Sequence, residues 1–231
     1  MNRTLPSTST PYYSTGGGYS IPTYTKRSTF GLNLSKQGRN LIILIVLGLP
    51  IGFITSYYFV DNFQLLLLLL QDNYLVYHGW VPPILTSMIV AVPSLSGLED
   101  VFFNAISVLF VDGLLRNAYT PRQYYLVFLF TGIAGNLLSL VAYGPGTGIL
   151  STTISFGASG GIFGLLAGAL ATDFTINRRV NTTLLIWFIF VFIISSIGIG
   201  VDAFAHIGGT LSGIVAGYVI GRSRSRTRSY F

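Results

Sequence analysis

Long apolar stretches with few or no charged residues alternate with short polar connections along this chain. The first, from Asn40 to Val60, begins Asn40-Leu-Ile-Ile-Leu-Ile-Val-Leu-Gly-Leu-Pro50 and holds about 20 residues, enough for a helix to cross ~30 Å of hydrocarbon. Similar runs at Leu98–Leu115, Tyr124–Tyr143, Gly157–Ala171, Thr182–Gly200 and Ala203–Gly221 bring the expected spans to six. Between the first two lies a long connection, Asp61–Gly97. Its run Leu65–Leu70 is too short to span and reads as a partly immersed interfacial segment. Ahead of the first span, residues 1–39 are rich in Ser, Thr, Tyr, Gly and Pro, include Gly16-Gly17-Gly18, and have no compact apolar core of the secretory-signal kind; a disordered tail is expected. Residues 222–231 form a short basic tail.

Composition agrees with a bilayer as solvent. Hydrophobic residues make up 51% of the 231 and charged residues only 9%, against about 25% charged in ordinary soluble chains. A soluble globular domain is excluded, and an all-α integral membrane protein is the expected fold class. With no cysteine and two histidines, the chain has no disulfide framework, no thiolate metal site and no cysteine nucleophile; no metal or cofactor is expected.

The net charge of +6 matters less than its distribution. All 13 lysines and arginines fall in the amino-terminal tail, in the loops at Arg116–Arg122 and Arg178–Arg179, and at Arg222–Arg228. By the positive-inside rule this puts both termini in the cytoplasm. Asp61, Asp72, Glu99, Asp100 and Asp202 then fall on the outer side. The basic carboxyl tail abuts a span and reads as an anchor to anionic lipid, not as a nucleic-acid site.

Polar groups within spans are costly and need an account. They are Asn104, Asn136, Ser159 and His206. At about 1.5 Å per residue, Asn104, Ser159 and His206 stand roughly 18, 28 and 24 Å from the basic ends of their spans, and so share one layer in the outer half of the membrane. Asn136 has no motif around it and reads as interhelical glue. Glycines 157, 161, 164 and 168 recur every three or four residues, and Ala205, Gly209, Gly213 and Gly217 every four. Such stripes let two helices approach backbone to backbone, close enough for a serine hydroxyl to reach an imidazole at about 2.6–3.2 Å.

These residues resemble the rhomboid intramembrane serine proteases. Gly157-Ala-Ser159-Gly160 matches the family's Gly-x-Ser-Gly nucleophile motif, and Ala205-His206-Ile-Gly-Gly209-Thr-Leu-Ser-Gly213 its Ala-His-x-x-Gly-x-x-x-Gly motif. Phe102-Phe103-Asn104 is similar to the second-helix Phe-Asn signature, and Leu85-Thr86-Ser87-Met88 to the stretch before it. The resemblance covers about Leu85 to Gly221 and implies roles. Ser159 would be the nucleophile and His206 general base and then general acid. The Ser159 N–H and the Asn104 amide would stabilise the oxyanion, Gly157 would keep the approach open, and Phe163 would stack on the imidazole. Gly160, Gly209 and Gly213 would support the packing. Two departures stand out: Asp100 occupies the place of a family histidine and is expected to face water or to be protonated, and the family's Trp-Arg pair of the first loop is missing.

The resulting expectation is a multi-pass serine endopeptidase, in the cell membrane, that cuts other proteins in or near their transmembrane segments at the outer leaflet. Its partners would be those substrates and the lipid bilayer, with no nucleic acid. Gly144–Gly148 and Ser195–Asp202 are the loops expected to roof the site. The alternatives are a catalytically inactive rhomboid-like protein that binds transmembrane helices, and a small channel or transporter, for which no internal repeat is visible. Asp202, one turn before His206, is read as a helix-end carboxylate and not as a third catalytic member. Asp202→Asn is therefore expected to leave proteolysis within a few-fold of wild type.

Overall fold

The computed structural model describes residues 34–57, 63–151, 154–197 and 201–228, so the expectation of a disordered tail over residues 1–33 lies outside it. In chain order the elements are α1 (Lys36–Tyr57), α2 (Phe63–Leu67), β1 (Gln71–Asp72), α3 (Asn73–Tyr77), α4 (Pro83–Thr86), α5 (Leu95–Ala118), α6 (Pro121–Tyr143), β2 (Ile154–Ser155), α7 (Ser159–Asn177), α8 (Thr182–Ile197) and α9 (Ala203–Arg228). The six long helices fall on the six apolar stretches. Residues 36–39 and 222–228, read from the sequence as tail, continue helices instead. α1, α6, α7 and the Ala203–Ser225 part of α9 are long and apolar enough to cross a membrane. α8 is apolar but only 16 residues long, and α5, with 24, carries Glu99, Asp100, Asp112 and Arg116.

Local signals start these helices where the sequence allows. Ser94 caps α5 through Gly97 N–H at 3.3 Å. Thr120 and Gln123 close a reciprocal capping box on α6, with Pro121 at its first position. α7 has no side-chain cap, so its first N–H groups stay open.

Close contact among α6, α7 and α9 forms the centre of the bundle. A methyl group added at Gly209, Gly213 or Gly217 would run into the carbonyl oxygens of Gly160, Gly164 and Gly168 respectively. The α7 face that meets α9 is thus Gly160, Gly164 and Gly168. Gly161 faces Phe128 of α6 instead, and Gly157 precedes the helix. The α6–α9 contact is also glycine to glycine, through Gly135 and Gly208. Thr131 and Thr172 bond across these contacts to the carbonyls of Gly161, at 3.3 Å, and Gly217, at 3.1 Å. α1 packs on α5, where the buried Asp112 accepts from the Ser35 N–H at 2.6 Å and its hydroxyl at 2.7 Å.

The first loop is docked on the protein. Leu66, Leu67 and Leu70 turn inward, Leu66 and Leu70 packing with Val90 against Ile51, Ile154 and Phe156. Part of the leucine run expected to be immersed is therefore covered by the chain itself. β1 pairs antiparallel with β2, Gln71 opposite Ser155. Asp72 caps α3 through Leu75 N–H at 3.3 Å and accepts from Leu150 N–H at 2.8 Å. Asn136 donates to Ile84 O and Ser87 Oγ, both at 2.9 Å, and its carbonyl accepts from Gln71 Nε2 at 2.9 Å. It ties α6 to the loop, not helix to helix.

Helix propensity alone would favour alanine over glycine by about 1 kcal/mol. Gly213→Ala should instead destabilise the protein by about 1–3 kcal/mol through overpacking, seen as a lower thermal midpoint in detergent. Gly148→Ala, where nothing lies within 4 Å of an added methyl, should leave the midpoint unchanged.

Candidate active site

The turn from β2 into α7 sets the serine. Gly157 sits at φ +97°, where a side chain is strained, and its N–H donates to the Ser87 carbonyl at 2.8 Å. A methyl group there would also collide with the Asp100 carboxylate. Ser159 then opens α7, its N–H among the uncapped groups at the positive end of the helix dipole.

His206 lies in the first turns of α9 and is 4% exposed. Its Nε2 stands 2.8 Å from Ser159 Oγ. With the hydroxyl as donor, the neutral ring carries its proton on Nδ1, and that buried atom has no hydrogen-bond partner among the described residues. The ring is held by aromatic contact instead: the Phe163 centroid is 4.5 Å from that of the imidazole at an interplanar angle of 50°, and Phe192 of α8 lies at 6.5 Å.

Asn104, 6% exposed, lines the same cavity from α5. Its Nδ2 makes no geometrically sound hydrogen bond; the Asp100 carboxylate, one turn earlier, is its electrostatic neighbour. The cavity holds about 510 Å³ and also exposes Gly157, Ser159, Gly160 and His206. Asp100, expected either to face water or to be protonated, lines the same cavity.

Asp202 does not bond the imidazole. It caps α9 through Ala205 N–H at 2.9 Å and accepts the hydroxyls of Ser139 on α6 and Ser155 on β2. Ser139 and Ser155 are also 3.2 Å from each other. Sequence reasoning passed over both serines. The cap position of Asp202 is readable one residue before a helix; its partners, 63 and 47 residues away, are not. Of the loops expected to roof the site, the first is tied down at its edge, Thr147 and Gly148 N–H donating to Ser151 Oγ at 2.9 and 3.0 Å. In the second, Ser195, Val201 and Asp202 line the cavity, and residues 198–200 lie outside the described residues.

Fold and site define a multi-pass α-helical membrane protein with a part-buried serine–histidine pair at a cavity lined by polar and apolar groups. A family model described as the Rhomboid domain matches residues 82–223, more than half of the chain. RHOMBOID-like protein 4 of Arabidopsis thaliana is 32% identical over 129 residues, 54% of this chain and 31% of that protein. Rhomboid protease GluP of Bacillus subtilis (strain 168) is 30% identical over 156 residues, 65% of this chain and 28% of that one. The mitochondrial RHOMBOID-like protein 6 of Arabidopsis thaliana is 30% identical over 130 residues, 54% and 40% respectively. The aligned region is thus less than half the length of these relatives. The chain belongs to the rhomboid family.

Gly157→Ala is expected to destabilise the protein by about 1–3 kcal/mol, the strain of a side chain in the left-handed region plus the collision with Asp100. In an Asp100→Ala background the same change should cost less, leaving the backbone strain alone. A double-mutant cycle of thermal midpoints in detergent measures the difference.

Proposed function

We propose that this chain is an intramembrane serine endopeptidase. The observation that carries the reading is the 2.8 Å contact between Ser159 Oγ and His206 Nε2, part-buried at a cavity inside a membrane helix bundle. Ser159 Oγ attacks the scissile carbonyl while Nε2 takes its proton. The oxyanion that forms is met by the Ser159 N–H and the unpartnered Asn104 Nδ2, aided by the positive end of α7. The imidazolium returns the proton to the leaving amine. Water entering through the cavity then hydrolyses the acyl-serine, with His206 again as base. Among the described residues no carboxylate holds His206 Nδ1, so Phe163 and the helix packing carry the orientation that a third member provides in triads.

In this reading the chain crosses the membrane six times, α5 and α8 included, with both termini in the cytoplasm. The distribution of basic residues supports that orientation. The site then opens toward the outer leaflet of the cell membrane. Its substrates are transmembrane segments that unwind at their outer ends, where Gly or Pro weakens the helix. Gly160, Gly209 and Gly213 set the spacing of the dyad, and Gly157 keeps room beside the nucleophile. A second reading, an inactive binder of transmembrane helices, is favoured by one observation. Asp100 puts a carboxylate on the cavity wall near where negative charge would develop.

Fluorophosphonate labelling of purified protein in detergent decides between them, because it reports an activated serine without a substrate. Wild type should label, Ser159→Ala and His206→Ala should not, and Asn104→Ala should slow peptide cleavage by ~10²-fold, the usual loss of one oxyanion donor. A folded wild type that does not label would establish the binder. Labelling that survives Ser159→Ala would place the nucleophile elsewhere.

A further inference from the structure

Two contacts join the same two segments at matching offsets. Ser155 precedes Ser159 by four residues, and Asp202 precedes His206 by four. The distal pair Ser155–Asp202 is hydrogen-bonded, as is the pair Ser159–His206. Ser139, fully buried on α6, is a second hydroxyl donor to the same carboxylate oxygen, while the other oxygen caps α9 through Ala205 N–H. One side chain therefore ties together the strand that leads into the serine, the helix that carries the histidine, and α6, against which both pack.

We infer that Asp202 is a positioning residue, a clasp that holds the Ser159-bearing and His206-bearing segments at reacting distance. It acts through geometry and not as a proton carrier, since His206 Nδ1 has no partner among the described residues. The glycine contacts hold α7 and α9 along their length and end beside the dyad, Gly160 lying against Ala205 and Gly209. Ser159 has the β2 turn before it and His206 the start of α9. On that amino-terminal side of the dyad the clasp joins the two segments. Misplacement of reacting groups by about 1 Å can cost ~10²-fold in rate, which sets the scale of the effect.

The kinetic part of the inference rests on the protease reading. The test compares Asp202→Ala, Asp202→Asn and the double variant Ser139→Ala/Ser155→Ala, using cleavage of a fluorogenic transmembrane peptide in proteoliposomes. Asparagine keeps an oxygen for the Ala205 N–H and an NH2 that the two serine oxygens can accept, so the clasp survives with its polarity reversed. Expected are a fall in kcat of about 30-fold or more for Asp202→Ala with KM within about twofold, and recovery to within about threefold for Asp202→Asn. The double serine variant, which leaves the Ala205 cap intact, should lose about tenfold and serves if Asp202→Ala does not fold.

The inference is overturned if the alanine variant keeps its kcat, or if Asp202→Asn falls as far as Asp202→Ala, which would make the charge and not the clasp the active feature. If Asp202→Ala does not fold, an unchanged kcat in the double serine variant overturns it. Hydrogen exchange gives a readout independent of catalysis. Amides 154–159 should exchange at least tenfold faster in Asp202→Ala, although Ser155 and Asp202 are 47 residues apart. A wild type that cleaves nothing sinks the protease reading only; unchanged exchange in the alanine variant then sinks the clasp.

Discussion

In hydrocarbon, apolar side chains gain nothing by leaving lipid for one another, so helices associate through close packing and interhelical hydrogen bonds. Here that condition is met by backbone against backbone. Gly160, Gly164 and Gly168 of α7 face Gly209, Gly213 and Gly217 of α9, and Gly135 of α6 faces Gly208. No side chain on the meeting faces can absorb an error in distance, so the approach is set by van der Waals contact of main-chain atoms. Thr131 and Thr172 reinforce it by bonding to carbonyls on the neighbouring helix while also bonding within their own. The 2.8 Å serine–histidine contact lies at one end of this three-helix unit and inherits its precision.

That same end of the bundle concentrates the buried polar groups. Gln71, Asp72, Asn73, Ser87, Asn136, Ser139 and Ser155 are all enclosed, mostly bonded to one another, to main-chain groups or to Asp202. Buried polar groups left unpaired are costly, and this network spends most of its capacity on itself. The exceptions are instructive. Among the described residues, Gln71 Oε1 and Asn73 Nδ2 within the network lack a hydrogen-bond partner, as do Asn104 Nδ2 on the cavity wall and His206 Nδ1 beside Phe163. The acid nearest the histidine in sequence is engaged by α9, α6 and β2, so the imidazole is oriented by packing and not by that carboxylate.

Much of this was legible from the chain alone because the signals are local. Each long helix falls on a largely apolar stretch, and the residues of the dyad sit inside short motifs whose glycines announce close packing. Asp202 could be read as a helix-end carboxylate from its place just before Ala203. What escaped depends on the fold. Which glycine of Gly160 and Gly161 faces α9 turns on a helix phase that the irregular spacing of the stripe left open. The inward turn of Leu66 and Leu70, the pairing of β1 with β2, and the convergence of Ser139 and Ser155 on one carboxylate all join residues far apart in sequence. Asn136 looked like a link between helices because nothing near it revealed that a loop would come to meet it.

The first loop connects α1 to α5, yet it is built into the wall of the site. Thr86 bonds to the Leu69 carbonyl at 2.8 Å, the Ser87 carbonyl receives Gly157 N–H, and Gly48 and Gly97 have no room for a methyl beside Ile89 and Val92. Between these fixed points the turn at Gly79 and Trp80 is bonded only to nearby residues of the same loop, Gly79 N–H to Val76 O, Trp80 N–H to Leu75 O and Trp80 Nε1 to Leu68 O; a methyl group at Gly79 would meet nothing within 4 Å, and Trp80 is 42% exposed. Insertions succeed where backbone is exposed and unbonded to its surroundings. An added residue at 78–81 would lengthen an exposed tip, whereas one between Thr86 and Val92 would shift the Ser87 carbonyl that receives Gly157 N–H, and with it the turn that leads into Ser159. The loop can therefore grow at its tip without disturbing its inner edge.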